Sequence, residues 1–238
     1  MSIILKIFFL ILLPLMSATA SDVKIVALDG KVLYYRDRVL SILTERTKLQ
    51  LNDLTLTQDG RVSLEFEETT LVFTPHSLFR VMNVKNSQRH QFGEFLLGEF
   101  YASTRDKLVD KRVLEILLPK AKVHIVGTRY TVQIAPNVET LTERQEGKFK
   151  PLPRLELIPE TVSSNDLVTQ ITCFEGKVFV TTDSGQNQEL ELYDSALYSG
   201  SGANIRISKK DENELSRLFE SLGFKQNDSS AMNADRAK

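Results

Sequence analysis

Apolar and polar residues alternate along Lys122–Ile134, but the alternation changes phase partway. Val123 and Ile125 hold odd positions, whereas Tyr130, Val132 and Ile134 hold even ones. Alternation of this kind predicts a half-buried strand. A one-residue slip turns the following side chains to the other face, so the phase change predicts a bulge or corner. Gly127 stands at that break, where a residue without a Cβ accepts unusual backbone angles. Thr128 is expected to support the bulge and Tyr130 to bury its ring.

The same pattern predicts strands over Val23–Ala27, Val32–Tyr35, Leu71–Phe73, Phe79–Val81 and Val113–Leu118. Others follow at Val168–Cys173, Val178–Thr181, Glu189–Tyr193 and Ile205–Ser208. Arg36–Lys48 is ambiguous: Val39, Ile42 and Leu43 fit helical spacing, but the segment has no clear cap. Asn83–Gln91 is polar and reads as a loop. In Leu54–Phe66, a three-residue loop Gln58-Asp59-Gly60 sets Leu56 opposite Val62 and Leu54 opposite Leu64, which keeps apolar residues on one face. That register requires a type I turn with Gly60 left-handed in a G1 bulge, and predicts that valine at Gly60 is strongly destabilising.

An acid–glycine–base–apolar pattern recurs at Asp29-Gly30-Lys31-Val32, Asp59-Gly60-Arg61-Val62, Glu146-Gly147-Lys148-Phe149 and Glu175-Gly176-Lys177-Val178. Four copies favour a repeated β unit. Pro151, Pro153 and Pro159 mark a connection between sub-blocks 21–150 and 166–208, because proline holds the chain extended and removes a pairing donor. Leu215, Leu218, Phe219 and Leu222 then follow helical spacing, with Gly223 as the stop. The fold class expected is all-β: an antiparallel sandwich or solenoid-like domain of short strands over 21–208. A C-terminal amphipathic helix and a polar tail follow over 209–238.

Residues 1–20 read as a signal peptide. Lys6 precedes an apolar run from Ile7 to Met16, and Ala18-Thr19-Ala20 is an A-x-A site that predicts cleavage before Ser21. The run is shorter than the roughly 20 apolar residues a spanning helix needs. No other segment qualifies, so the mature chain is expected to have no membrane span and to lie in the periplasm. Cys173 is the only cysteine among 238 residues. A mature exported chain therefore has no internal disulfide, and its fold must rest on packing and backbone pairing. Cys173 lies in an apolar run and is expected to be buried and inert.

Charge and chemistry narrow the role further. A formal net charge of −1 gives no reason to expect nucleic-acid binding. His76, His90 and His124 lack metal-site spacing, and His124, between Val123 and Ile125, reads as an exposed strand histidine. Glu65 and Glu67 share the face opposite Leu64 and Phe66, which a solvated outer face explains. Ser201 lies in Gly-Ser-Gly rather than a nucleophile elbow, and Asp183–Asn187 is too sparse in acids for a calcium loop. The pattern therefore supplies no catalytic residue, metal ligand or cofactor site.

The order of these pieces resembles the FecR domain. The resemblance is carried by Gln58–Phe66, Leu97-Gly98, Leu118-Pro119, the run Val126-Gly127-Thr128-Arg129-Tyr130-Thr131-Val132 (V-G-T-x-Y-x-V), and the strand Glu175-Gly176-Lys177-Val178-Phe179-Val180. It covers about Val23 to Ser208. It implies a non-enzymatic binding or signalling module in the Gram-negative envelope, whose partner is an envelope protein or an outer-membrane receptor component. Membrane FecR regulators carry a cytoplasmic anti-sigma region and a membrane helix before this domain. A signal peptide stands in their place here, so anti-sigma activity does not transfer. A glycan-binding or structural envelope module is the alternative, distinguished by cosedimentation with cell wall or polysaccharide. Oligomeric state is left open.

Overall fold

The computed structural model describes residues 23–67, 69–85, 89–104, 113–136, 166–199 and 204–221. The chain is all-β, with fourteen strands among the described residues in one hydrogen-bonded sheet of barrel-like closure. In order they are β1 (Lys24–Asp29), β2 (Val32–Arg36), β3 (Val39–Ile42), β4 (Leu54–Thr57), β5 (Arg61–Phe66), β6 (Thr69–Phe73) and β7 (Leu78–Lys85). There follow β8 (Arg89–Thr104), β9 (Val113–Leu118), β10 (Ala121–Pro136), β11 (Leu167–Thr182), β12 (Asn187–Leu190), β13 (Asp194–Ser199) and β14 (Arg206–Lys209). Among the described residues one helix, α1 (Glu212–Ser221), follows the strands.

The strands are not all short. β8, β10 and β11 each run 16 residues, and each exchanges neighbours partway along. β8 pairs with β9 over Arg89–Glu94 and with β10 over Gly98–Ser103. β10 pairs with β9 over Ala121–Ile125 and with β8 over Arg129–Ile134. β11 pairs with β13 near its start and with β12 near its end. Strands that change partners through bulges make the corners of orthogonally packed sheets. Here β8, β9 and β10 pair with one another in a ring, which closes the sheet around its core.

The corners explain the recurring acid–glycine pattern. β1 and β2 together face β5 and β4, so the two chain segments form one bent antiparallel ribbon. Asp29 pairs with Arg61 on one side of the bend and Val32 with Thr57 on the other, with Gly30 and Gly60 between. The β10–β11 ribbon bends in the same way. Its register shifts between Val126 and Arg129 on one strand, opposite Glu175 and Lys177 on the other, so Gly127 and Gly176 lie at that corner. Gly176 has φ 72°. The irregularity expected at Gly127 is therefore present, and Val123, Tyr130, Val132 and Ile134 are all buried despite their change of phase.

Asp59-Gly60 does not close a hairpin. β4 pairs with β2 and β7, and β5 with β1 and β6, so Leu54 and Leu56 never oppose Leu64 and Val62. Nor is Gly60 left-handed; the left-handed glycine of that pair is Gly30, with φ 69°. A turn that carries the chain around a corner has the same sequence as one that reverses it, and the neighbouring strand decides between them. Glu146-Gly147 lies outside the described residues, as do the signal segment, Ser201 and the prolines of the connection. On either side of that connection, β10 and β11 pair along nearly their whole length.

The main core cluster draws residues from β2 through β13. Phe73 touches Phe79, Phe95 and Phe100, and Phe100 meets the Tyr130 ring edge-on at 6.0 Å. Behind the sheet a smaller cluster joins Tyr101, Phe174 and Leu215. That second cluster explains why Ile171, Thr172, Cys173 and Phe174 are buried consecutively: Cys173 faces the main core and Phe174 faces Leu215 of α1. α1 starts at a capping box, in which Glu214 N–H donates to Asp211 Oδ1 (2.8 Å) and Asp211 N–H to Glu214 Oε2 (3.3 Å). Nothing is described of the side chains of Leu218 and Phe219, and Leu222 lies outside the described residues.

Several local expectations change. Arg36–Lys48 contains the end of β2, a two-residue turn and β3, with no helix. Asn83–Gln91 contains the end of β7 and the start of β8. β13 had no strand signal of its own in Asp194–Ser199, and Glu191–Tyr193 is a turn beyond β12. His90 is buried edge-on against Phe66, and His124 is half-buried rather than exposed.

Candidate interaction surface

The β2–β3 hairpin ends one side of the sheet. Asp37 and Arg38 form its two-residue loop, both with positive φ (50° and 66°), the backbone of a type I′ turn. Arg36 anchors the hairpin from below. Its Nε donates to Asp53 Oδ1 (2.7 Å) and its Nη2 to Asp53 Oδ2 (2.5 Å) and to the Lys48 carbonyl (2.8 Å). The Asp53 carboxylate also accepts the Gln50 N–H at 2.7 Å and is itself buried. A bidentate, charge-assisted clamp of this kind fixes orientation as well as distance. It holds residues 48–53 beneath the hairpin, and the Arg36 guanidinium lies 5.1 Å from the centre of the Tyr34 ring.

The hairpin register assigns the backbone groups of β3. Arg36 opposes Val39 and Tyr34 opposes Ser41, and Leu43 N–H donates to the Val32 carbonyl at 2.8 Å. In an antiparallel pair, hydrogen-bonded residues alternate with residues whose N–H and C=O point away. Those of Leu40 and Ile42 therefore point outward, where no described strand lies beyond β3. The side chains are also unsheltered: Val39 is 60% exposed, Leu40 49%, Ile42 63% and Tyr35 38%. An edge strand that is apolar on both faces and lacks Lys, Pro or a bulge is one that soluble proteins ordinarily avoid.

The other sheet edges are blunted. β14 reads Arg-Ile-Ser-Lys, with a base at each end. β12 reads Asn-Gln-Glu-Leu, and β1 is bulged between Ile25 and Ala27. Val26, Leu197 and Ile207 are exposed singly. The β3 edge thus stands apart by composition and by geometry.

The residues singled out in the sequence have structural surroundings. Tyr130 is wholly buried in the core, and burial pushes its phenol well above the usual range. Its hydroxyl and the Thr128 Oγ1 are buried without a hydrogen-bond partner, so Thr128 does not brace the bulge through its hydroxyl. Cys173 is buried, and desolvation raises its thiol to about 11. Its Sγ lies 3.6 Å from the Glu175 carbonyl and 3.7 Å from that of Gly176. Glu65 is half-buried, while Glu67 has turned out at φ 50° and meets His90 Nδ1 at 3.1 Å.

The nearest approach to catalytic chemistry is a row across β9, β10 and β11. Glu115 Oε1 lies 3.3 Å from His124 Nδ1, and Thr181 Oγ1 lies 3.5 Å from His124 Nε2. The Thr181 hydroxyl donates its proton to Asn187 Oδ1 at 2.7 Å. A hydroxyl committed to an amide acceptor is not primed by the imidazole as a nucleophile. Among the described residues, no group of three or more His, Cys, Asp and Glu side chains is arranged to hold a metal ion. No described helix is long and apolar enough to cross a membrane.

Val39–Ile42 was the candidate stretch hardest to see in the sequence. Its one signal is the uncharged run Val-Leu-Ser-Ile-Leu between Arg-Asp-Arg and Thr-Glu-Arg. Five residues are too few to establish a period.

No family model matches the chain, and no curated protein matches it. Among solved structures it is similar to two crystal structures of a provisionally assigned anti-sigma factor from Parabacteroides distasonis ATCC 8503, at 2.50 and 1.65 Å resolution. The identities are 14% and 13%, and the TM-score is 0.46 for both. The matches cover 68% and 69% of this chain and 62% of theirs, less than two thirds of those chains' length. At that similarity neither structure carries an argument about this chain's function.

Proposed function

We propose that the protein is an exported, free-standing FecR-type module that acts by binding another protein in the Gram-negative envelope, without catalysis. The observation that carries this reading is the β3 edge: outward N–H and C=O groups at Leu40 and Ile42, flanked by exposed Val39, Leu40, Ile42 and Tyr35. An edge of this kind recognises a partner by strand addition, with main-chain hydrogen bonds giving affinity and alternate side chains giving selectivity. The ordered sequence pattern supports the family part of the reading, since its glycines Gly60, Gly127 and Gly176 all fall at ribbon corners. Within it, the two halves joined by β8, β10 and β11 are the layers of a sandwich. Leu215 of α1 supplies the helix's contact with Tyr101 and Phe174.

The export part rests on residues 1–20 and is tested separately. Protein recovered from a periplasmic extract is expected to begin at Ser21 by N-terminal sequencing; recovery only from cytosol overturns the localisation. For binding, a tagged protein and its Leu40→Lys variant are used to capture partners from crosslinked envelopes. A partner protein, an outer-membrane receptor component among them, is expected with the parent and lost with the variant. Capture that is identical for both, or absent from both, refutes binding through β3.

A further inference from the structure

We propose that β14 and α1 form a releasable strap, and that the surface beneath it is a helix-binding socket. α1 fills that socket within its own chain until a leucine-bearing helix of a partner protein replaces it. The proposal stands apart from the β3 reading, because the socket lies on other strands.

The socket is built on the outer face of the sheet. Val72 of β6 opposes Tyr101 of β8, and Tyr101 opposes Thr131 of β10. Their chain neighbours Phe73, Phe100, Ala102, Tyr130 and Val132 point the other way, into the main core. Phe174 from β11 and Tyr193 from the turn after β12 complete the socket. Leu215 enters it from α1 and is buried. The other described side chains of α1, those of Asn213, Glu214, Ser216 and Arg217, are exposed or half-buried. An apolar site that takes one face of a helix is a general mode of protein recognition, and α1 shows that this site accepts a helix.

The strap is separable from the core. No described residue of β14 or α1 belongs to the main cluster; Ile205, just before β14, packs against that cluster and marks where the strap begins. Among the described strands β14 pairs with β13 alone, and all four of its residues are exposed. A helix of 10 residues is marginal in water by itself, so α1 depends on its docking. Tyr193 joins strap to sheet. Its N–H donates to the Cys173 carbonyl (2.8 Å), and its own carbonyl accepts the Lys210 N–H (2.9 Å). Tyr193 has φ 68°, a region in which a bulky side chain is strained. Losing the Lys210 bond frees it to leave that region, so strain at the joint favours release. Release uncovers Tyr101 and Phe174 together, and a leucine carried in on another helix buries them again.

Hydrogen exchange of the intact protein, read by mass spectrometry, tests the strap. Amides of residues 206–221 should exchange about a hundredfold faster than those paired between β10 and β11, through an opening that leaves the core closed. Leu215→Asp should speed exchange of 206–221 further and leave β10–β11 unchanged. A fluorescent peptide of residues 211–223 tests the socket by anisotropy. It should bind the Leu215→Asp protein saturably and the parent at least about tenfold more weakly, because α1 occupies the parent's socket. The same peptide carrying Leu215→Asp should not bind. Exchange of 206–221 in step with β10–β11, or loss of β10–β11 protection in Leu215→Asp, overturns the strap. A peptide that does not bind the Leu215→Asp protein, or binds it no better than the parent, overturns the socket. Leu40-dependent capture reads the β3 proposal separately, so either can fail without the other.

Discussion

Adding one methyl group to Gly60 tests how the first ribbon turns its corner. A Cβ at Gly60 would lie 2.4 Å from the Asp29 carbonyl oxygen, 2.6 Å from Lys31 N and 2.7 Å from Gly30 C. All three are backbone atoms, so no side chain can swing away. The converse also holds: a Cβ at Gly30 would lie 2.7 Å from Gly60 Cα. The two strands are in backbone contact at the corner and are tied there by two bonds, Lys31 N–H to Asp59 Oδ1 (3.0 Å) and Gln58 N–H to the Lys31 carbonyl (3.1 Å). Overpacking a rigid site costs about 1–3 kcal/mol, and forcing the strands apart weakens bonds worth about 1 kcal/mol each. Gly60→Ala should therefore cost about 3 kcal/mol, and Gly60→Val more. For a chain of this size that lowers Tm by about 6–12 °C.

Gly185 is the control. Its φ is 84°, but a Cβ there meets nothing within 4 Å, so Gly185→Ala should cost only the backbone term of about 1 kcal/mol. Urea unfolding of the three proteins by circular dichroism measures the order. If Gly60→Ala is no more destabilising than Gly185→Ala, the two glycines do not hold the ribbon together at its bend. Gly30→Ala and Gly60→Ala should also be non-additive, because either one forces the same separation.

Four further outcomes follow from the structure. Tyr130→Phe removes a buried hydroxyl that has no partner, so urea unfolding should show unchanged or slightly raised stability, whereas Tyr130→Ala should cost about 3–5 kcal/mol. Asp37→Asn with Arg38→Gly gives the strained type I′ turn its preferred residues and should raise stability by about 1 kcal/mol in the same assay. Desolvation raises the Glu99 carboxyl above its ordinary 4.5, against the opposing Gln133 hydrogen bond. The folded state then holds its proton to higher pH than the unfolded state, so stability falls as pH rises from the unfolded value through the folded one. Glu99→Gln should flatten that slope. Cys173, with its thiol at about 11, should resist a thiol reagent at pH 8 in the native protein and react once urea unfolds it.

Much of the candidate surface was illegible in the sequence for a physical reason. Alternation reports which face of a strand is buried, but it is silent on which strand lies alongside. Leu56 and Val62 could be matched on paper because a short loop joins their strands. In the protein β5 instead takes β1 as its neighbour, with Ile25 opposite Leu64. Exposure of Val39, Leu40 and Ile42 is likewise a property of position: the same three residues in the middle of the sheet would be core. His90 was hidden in a polar stretch and proved buried, because Phe66 supplies an aromatic wall for its ring.

The sequence by itself determined what each residue wants from its immediate backbone. It settled the strand-rich character, the corner at Gly127 between two sets of buried residues, the burial of Tyr130 and Cys173, and the recurrence of acid–glycine bends. These follow from side-chain polarity at period two and from glycine's missing Cβ, both local quantities. The tertiary structure alone decided that the bends face one another in pairs, that β8, β10 and β11 run through the corners, and that β3 is left without a neighbour. Those outcomes depend on contacts between residues far apart in the chain, which are chosen by the packing of the whole core.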